Sequence, residues 1–207
     1  MSISILGSGN MARGIGTRLV AAGQSPRFFS NDLDQAQALA ADLGTSVADG
    51  YDDVLASDLV VLATPYEASL AIARELGDRL AGKVVIDISN PLNAAYDDLV
   101  TEGGPSAAER IAELLPGARV VKAFNTTFAG TLIEGSVAGQ RLDVFLASDD
   151  AEAKASVAAL VEAGGLVATD VGPLRRARQL EGLALLGITL QFSLGTGFGT
   201  AWKLVRP

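Results

Sequence analysis

Histidine and cysteine are both absent from the 207-residue chain. No cysteine means no disulfide, no zinc–thiolate site and no thiol nucleophile. No histidine removes the side chain most used for proton transfer near neutral pH. Chemistry must then come from a cofactor, or from Lys, Tyr, Asp, Glu, Ser, Thr and Asn. Positive charge is also scarce: 16 Lys and Arg stand against 24 Asp and Glu, a net charge of −8. That balance argues against a nucleic-acid or anionic-membrane partner, either of which wants a basic face. Apolar residues make up 49% and charged ones 19% of the chain, as in a globular protein with a proper core. The first strand pattern starts next to Met1, with no charged leader or cleavage site, so no signal peptide is expected. The stretch Gly182–Trp202 is free of charge, but five glycines, three threonines, Gln191 and Ser193 make it a poor membrane span. A buried helix followed by a glycine-rich loop is expected there, and the protein is expected to be soluble and cytoplasmic.

What is present is a regular alternation. Strand patterns run over residues 2–7, 26–31, 58–64, 83–89, 118–124, 142–148 and 165–171. Most are continuous Val/Ile/Leu runs of the kind found in strands covered on both faces. Helical patterns fit between them at 11–22, 33–43, 67–80, 106–115 and 150–163. The alternation predicts an α/β fold, a doubly wound, mostly parallel sheet of the Rossmann type. It fills residues 1–171. Beyond it, residues 172–207 read as a small helical lobe dominated by one helix over 175–192.

The opening strand leads directly into ILGSGNMARGIG. Gly7-x-Gly9-x-x-Ala12 has the G-x-G-x-x-A spacing of a dinucleotide cradle and sits between a strand and a helix. Gly7 would permit the tight turn and Gly9 the approach of a pyrophosphate, which the helix N-terminus favours. About 20 residues on, Asp32 stands where an acid would bind the adenosine ribose of NAD and repel the extra phosphate of NADP. Asp32 would equally serve as the N-cap of the next helix. Ser30, Asn31 and Arg13 offer partners for a 2′-phosphate instead, so both cofactors remain open. Three other strand ends are polar and turn-like: Thr64-Pro65-Tyr66, Ser89-Asn90-Pro91 and Lys122–Thr126. In an open parallel sheet they converge on the ligand edge.

Together these stretches resemble the NADPH-dependent coenzyme F-420 (F420) reductases, also called F420:NADP oxidoreductases. The resemblance is carried by the glycine loop, VVLATPY, VIDISNPLN, AAERIAELLPGARVVKAFNT, DVGPLRRARQLEGLALLGI and the closing GTGFGTAWKL. The GSGNM loop alone is also similar to pyrroline-5-carboxylate reductases, whose helical dimerisation domain is longer than the tail left here. The resemblance implies a homodimer in which the deazaflavin stacks on the nicotinamide of NADP or NAD, with the 172–207 lobe serving the second-substrate cleft and dimer contacts. By position, Gly7, Ser8, Gly9, Asn10 and Met11 would hold the pyrophosphate. Ser30 and Asn31 lie where family members carry a Ser-Arg pair for the 2′-phosphate. Thr64, Pro65, Asn90, Ala123 and Asn125 would border the nicotinamide and its ribose. No metal site is expected.

Hydride transfer between two cofactors needs positioning and exclusion of water rather than a strong acid, which suits a chain without histidine. The candidate for a conventional proton donor is Lys122, or else it snorkels to solvent or contacts phosphate. Strand alternation sends Lys122 and Asn125 to opposite faces unless the strand ends between them. Leu183, Leu186, Leu190, Phe192, Phe198 and Trp202 are candidates for an apolar wall beside a flat ring, or for core packing. An NAD(P)H-dependent imine or carbonyl reductase and a non-catalytic dinucleotide sensor are the alternatives.

Overall fold

The continuous apolar runs become strands buried along their whole length because helices cover both faces of the sheet. The computed structural model describes residues 1–101 and 103–205. Six parallel strands form its centre: β1 (Ile3–Leu6), β2 (Arg27–Phe29), β3 (Ser46–Val47), β4 (Leu59–Leu62), β5 (Val84–Asp87) and β6 (Arg119–Lys122). Their spatial order is 3-2-1-4-5-6, so successive strands are added to one side of β1 and then to the other, and the switch point beside β1 is where doubly wound sheets bind ligands.

A two-residue-per-strand hairpin, β7 (Ser136–Val137) and β8 (Gln140–Arg141), precedes β9 (Asp143–Ala147) and β10 (Val167–Gly172). These last two strands extend the sheet beyond β6 but run against it. β9 joins β6 antiparallel through the single registered pair Lys122–Ala147, while β10 is parallel to β9. The expected parallel run is thus broken at its far edge. An apolar run records that a strand is buried, not which way it points.

Alternation along each strand feeds two cores. Ile3, Ile5, Leu59, Val61, Val84 and Ile86 face one side, where they meet α1 (Asn10–Ala21), α2 (Leu33–Leu43) and α7 (Ala151–Ala163). Leu6, Val60, Leu62 and Val85 face the other, covered by α3 (Tyr51–Leu55), α4 (Tyr66–Leu76) and α5 (Ala107–Leu114). The helix expected over 67–80 ends earlier, because Gly77 takes φ +43 and a 3-10 turn follows over Gly77–Leu80. A short α6 (Ala129–Glu134) packs on α1.

The C-terminal segment shares these cores. Leu174 and Ala177 lie in the second one, and α8 (Ala177–Leu194) continues past them along the ligand edge. Gly195 closes α8 in the left-handed conformation. The chain then returns without regular structure. Trp202 Nε1 donates to the Leu183 carbonyl, and Asp143 at the start of β9 accepts from Lys203 Nζ and the Leu204 amide. Among the described residues no helix is long and apolar enough to cross a membrane, and no cluster of His, Cys, Asp and Glu could hold a metal ion.

Candidate active site

The glycine loop separates two duties. Gly7 has φ +123, and a Cβ there would lie 2.3 Å from the Ala63 carbonyl oxygen, so this glycine is required by the turn itself. A Cβ on Gly9 would meet nothing within 4 Å. The space above Gly9 is open, and it faces the first turn of α1. That helix start has no side-chain cap and no acid in its first turn, so its free N–H groups and positive dipole end are left for an anion. The residues fit a dinucleotide pyrophosphate.

At the end of β2 the geometry is different. Ser8 turns away from the loop and donates toward Ser30 Oγ (2.9 Å) and Gln35 Oε1 (2.6 Å). The Asp32 amide donates to Ser30 Oγ at 3.2 Å. Asp32 Oδ1 accepts from the Gln35 amide at 3.0 Å, which caps α2. Asn31 and Asp32 are both exposed.

The strand ends line a cleft of about 1170 Å³ that runs from Gly9, Asn10 and Met11 past Thr64 and Pro65 to Asn90 and Tyr96. A second, mainly apolar pocket of about 420 Å³ lies beside it, walled by Ile88, Asn125, Thr127, Phe128, Ile188 and Phe192. Met11, Ile88, Asn90, Tyr96 and Phe198 belong to both walls. Phe198 takes φ +62 and meets Phe128 and Phe192 edge-on at centroid distances of 5.2 and 5.8 Å. Apolar lining with a few convergent amides is the usual make-up of a small-molecule site.

Those amides are held in a double clasp. Asn90 Nδ2 donates to the Asn125 carbonyl, and Asn125 Nδ2 donates to Asn90 Oδ1, both at 2.9 Å. Asn125 Nδ2 also donates to the Leu180 carbonyl at 3.0 Å, tying α8 to the strand ends. Asn125 Oδ1 is buried and has no hydrogen-bond partner among the described residues.

Beneath the clasp lies a charged cluster that is wholly buried. Lys122 Nζ donates to Asp87 Oδ2 (2.7 Å), Glu181 Oε1 (2.9 Å) and the Ser89 carbonyl. All three ammonium protons are used. Asp87 Oδ1 accepts from the Ser89 amide (2.9 Å) and hydroxyl (2.7 Å), and Glu181 accepts from the Ala107 amide at the start of α5. Burial pulls the Lys122 pKa down, but the carboxylates of Asp87 and Glu181 outweigh it and hold the ammonium above its ordinary value. Two carboxylates share one cation. At Glu181 burial wins over the attraction of Lys122 and pushes the carboxyl up.

Three expectations change accordingly. Lys122 neither reaches solvent nor offers a proton to the cleft, since its side chain is 0% exposed. The Ala123 methyl lies in the core and is absent from the walls of both cavities. Of the apolar wall candidates, Phe192 and Phe198 line the pocket. Leu190 and Trp202 border a separate small cavity of about 140 Å³, Leu183 packs against the buried cluster of Phe145, Ala147 and Leu180, and Leu186 is half exposed. Tyr96, Phe128 and Glu181 were not singled out from the sequence. Glu181 carried a signal, as the last charge before the long uncharged run.

The sequence profile of the family described as NADP oxidoreductase, coenzyme F420-dependent, matches residues 2–91. An F420-dependent NADP reductase of Methanothermobacter thermautotrophicus is 32% identical over 210 residues, covering 92% of this chain and 89% of that one. The metalloreductase STEAP3 of Rattus norvegicus is 33% identical over 183 residues, covering 88% of this chain. The present chain spans only 36% of that relative's length. In three dimensions, the crystal structure of a candidate F420-dependent NADP reductase from Arthrobacter sp. FB24 superposes with a TM-score of 0.88 at 30% identity, over 100% of both chains. With near end-to-end correspondence to the Methanothermobacter reductase and a shared fold, the chain belongs to the coenzyme F420-dependent NADP oxidoreductase family.

Proposed function

We propose that this oxidoreductase transfers a hydride between a nicotinamide dinucleotide, NADPH or NADH, and the deazaflavin coenzyme F420. The observation that carries the reading is the seam between the two cavities. Because Met11 and Asn90 belong to both walls, a dinucleotide lying along the cleft and a flat ring in the apolar pocket would meet there. The donor and acceptor carbons of the two cofactors supply the hydride chemistry themselves.

The residues have positioning roles. Gly9 and the free N–H groups of Asn10 and Met11 hold the pyrophosphate. Thr64 and Pro65 flank the ribose, and Thr64 is fixed by its 2.8 Å hydroxyl contact with Ser69. Asn90 and Asn125 orient the nicotinamide, held in place by their mutual hydrogen bonds. Phe128, Phe192 and Phe198 stack against the ring and keep water out. Lys122 supplies no proton in this scheme. The second-substrate side is contributed by residues 172–205, and the exposed Leu186, Phe192 and Leu194 of α8 would be covered in a homodimer.

Tyr96 favours a second reading. It is an exposed phenol on the walls of both cavities and could protonate a carbonyl or imine acceptor. The test is to mix the protein with oxidised F420 and NADPH or NADH and follow the deazaflavin absorbance. Enzyme-dependent bleaching, unchanged in Tyr96→Phe, supports the first reading and excludes a mere sensor. Absence of bleaching despite dinucleotide binding, with a cyclic imine or ketone reduced by the wild type and not by Tyr96→Phe, establishes the second.

A further inference from the structure

The two helix N-termini that flank the glycine loop are treated in opposite ways. The start of α1 is uncapped and free of acids, which leaves it open to a phosphate. The start of α2 is already occupied by an anion of the protein itself. Asp32 Oδ1 accepts the Gln35 amide at 3.0 Å, and Asp34 adds a second carboxylate in the same turn. Asp32 Oδ2 has no hydrogen-bond partner among the described residues.

Among the described residues no cation is paired with that charge. No hydrogen bond or ion pair among the described residues brings a lysine or arginine to Ser30, Asn31 or Asp32. Arg13 is paired with Asp42, at the other end of α2, at 2.9 Å. The donors left there are neutral: Ser30 Oγ accepts from Ser8 and from the Asp32 amide and keeps one O–H to give. A dinucleotide whose pyrophosphate lies on α1 brings its adenosine ribose to the end of β2. An uncharged ribose would find a free carboxylate oxygen there, able to accept from its hydroxyls. A 2′-phosphate, with close to two negative charges, would find like charge and a filled helix terminus.

We infer that Asp32 is a specificity-determining residue that makes this chain prefer NADH to NADPH. The inference rests on the proposed use of the glycine loop as a dinucleotide cradle and names which dinucleotide it takes. Repulsion from one or two carboxylates a few ångströms away corresponds to about a tenfold or greater difference in affinity at low ionic strength.

The experiment is a titration of the wild-type protein with NADH and NADPH, read by calorimetry and by quenching of Trp202, and repeated on Asp32→Asn. Asparagine keeps the capping oxygen and removes only the charge, so the fold is preserved. The expected result is a Kd for NADH about tenfold or more below that for NADPH, with the ratio falling several-fold toward unity in the variant. Equal or tighter binding of NADPH by the wild type overturns the inference, as does a ratio that Asp32→Asn leaves unchanged. Binding of neither dinucleotide removes the cradle reading, and this inference with it.

Discussion

Replacing Lys122 by methionine tests the buried cluster directly. The side chain keeps its approximate length, but Asp87 and Glu181 lose the ammonium between them. Asp87 retains the two Ser89 donors and Glu181 the Ala107 amide, so the loss is of charge balance rather than of every hydrogen bond. Breaking a buried pair by removing one partner costs about 3–5 kcal/mol, a large share of the roughly 5–15 kcal/mol that holds a domain together. In urea unfolding followed through the single Trp202, this corresponds to a midpoint lower by about 1–2 M at unchanged slope. The pH dependence gives the sign. Burial already raises Glu181, and loss of Lys122 raises it further. An acid whose folded pKa lies above its unfolded value stabilises the fold when protonated, and that contribution is lost as pH rises. The defect of Lys122→Met should therefore shrink between about pH 8 and pH 6. Adding Glu181→Gln should recover about 1–2 kcal/mol near pH 8. A loss below about 1 kcal/mol, the same at both pH values, would refute the coupling of these charges.

The two loop glycines should separate fold from binding. Gly7→Ala forces a Cβ against the Ala63 carbonyl at φ +123 and should lower stability by about 2–4 kcal/mol in thermal unfolding. Gly9→Val projects into open space, so the melting temperature should hold while dinucleotide binding falls about tenfold or more in calorimetry. Glu109, held at about 2 chiefly by Arg178 and then by Ser106 against its burial, should govern part of the acid limb. Its contribution is present above about pH 4.5 and lost as pH falls toward 2. Glu109→Gln should flatten that limb by about 1–2 kcal/mol, after discounting for the partly exposed Arg178. An unchanged acid-unfolding curve would remove Glu109 from the account.

Elements with a long apolar period were legible in the sequence, and short ones were not. The expected helix over residues 33–43 coincides with α2 because Asp32 and Gly44 mark its two ends. β3, α3, α6 and the β7–β8 hairpin are two to six residues long, too short to display a period. The parity rule for Lys122 and Asn125 resolves in the structure. β6 ends at Lys122, and Phe124 turns the backbone at φ +60, bringing Asn125 to the pocket above the buried lysine. The destination of Lys122 was illegible because its partners lie 35 and 59 residues away in the chain. Nothing local announces a salt bridge assembled from two strands and a helix. Phe198 was legible as apolar, but its place at the seam depends on a left-handed backbone that Phe rarely adopts.

The tail that carries Phe198 is fastened at both ends, by the C-cap of α8 and by Asp143, which accepts from Lys203 and Leu204. Fastened in this way, the segment forms a closed loop whose ordering cost is met during folding rather than on binding. The aromatic rim of the pocket is therefore held in part by a contact at the start of β9. Under the proposed function, affinity for a planar ligand would depend on the integrity of a clip between a buried carboxylate and a partly exposed lysine.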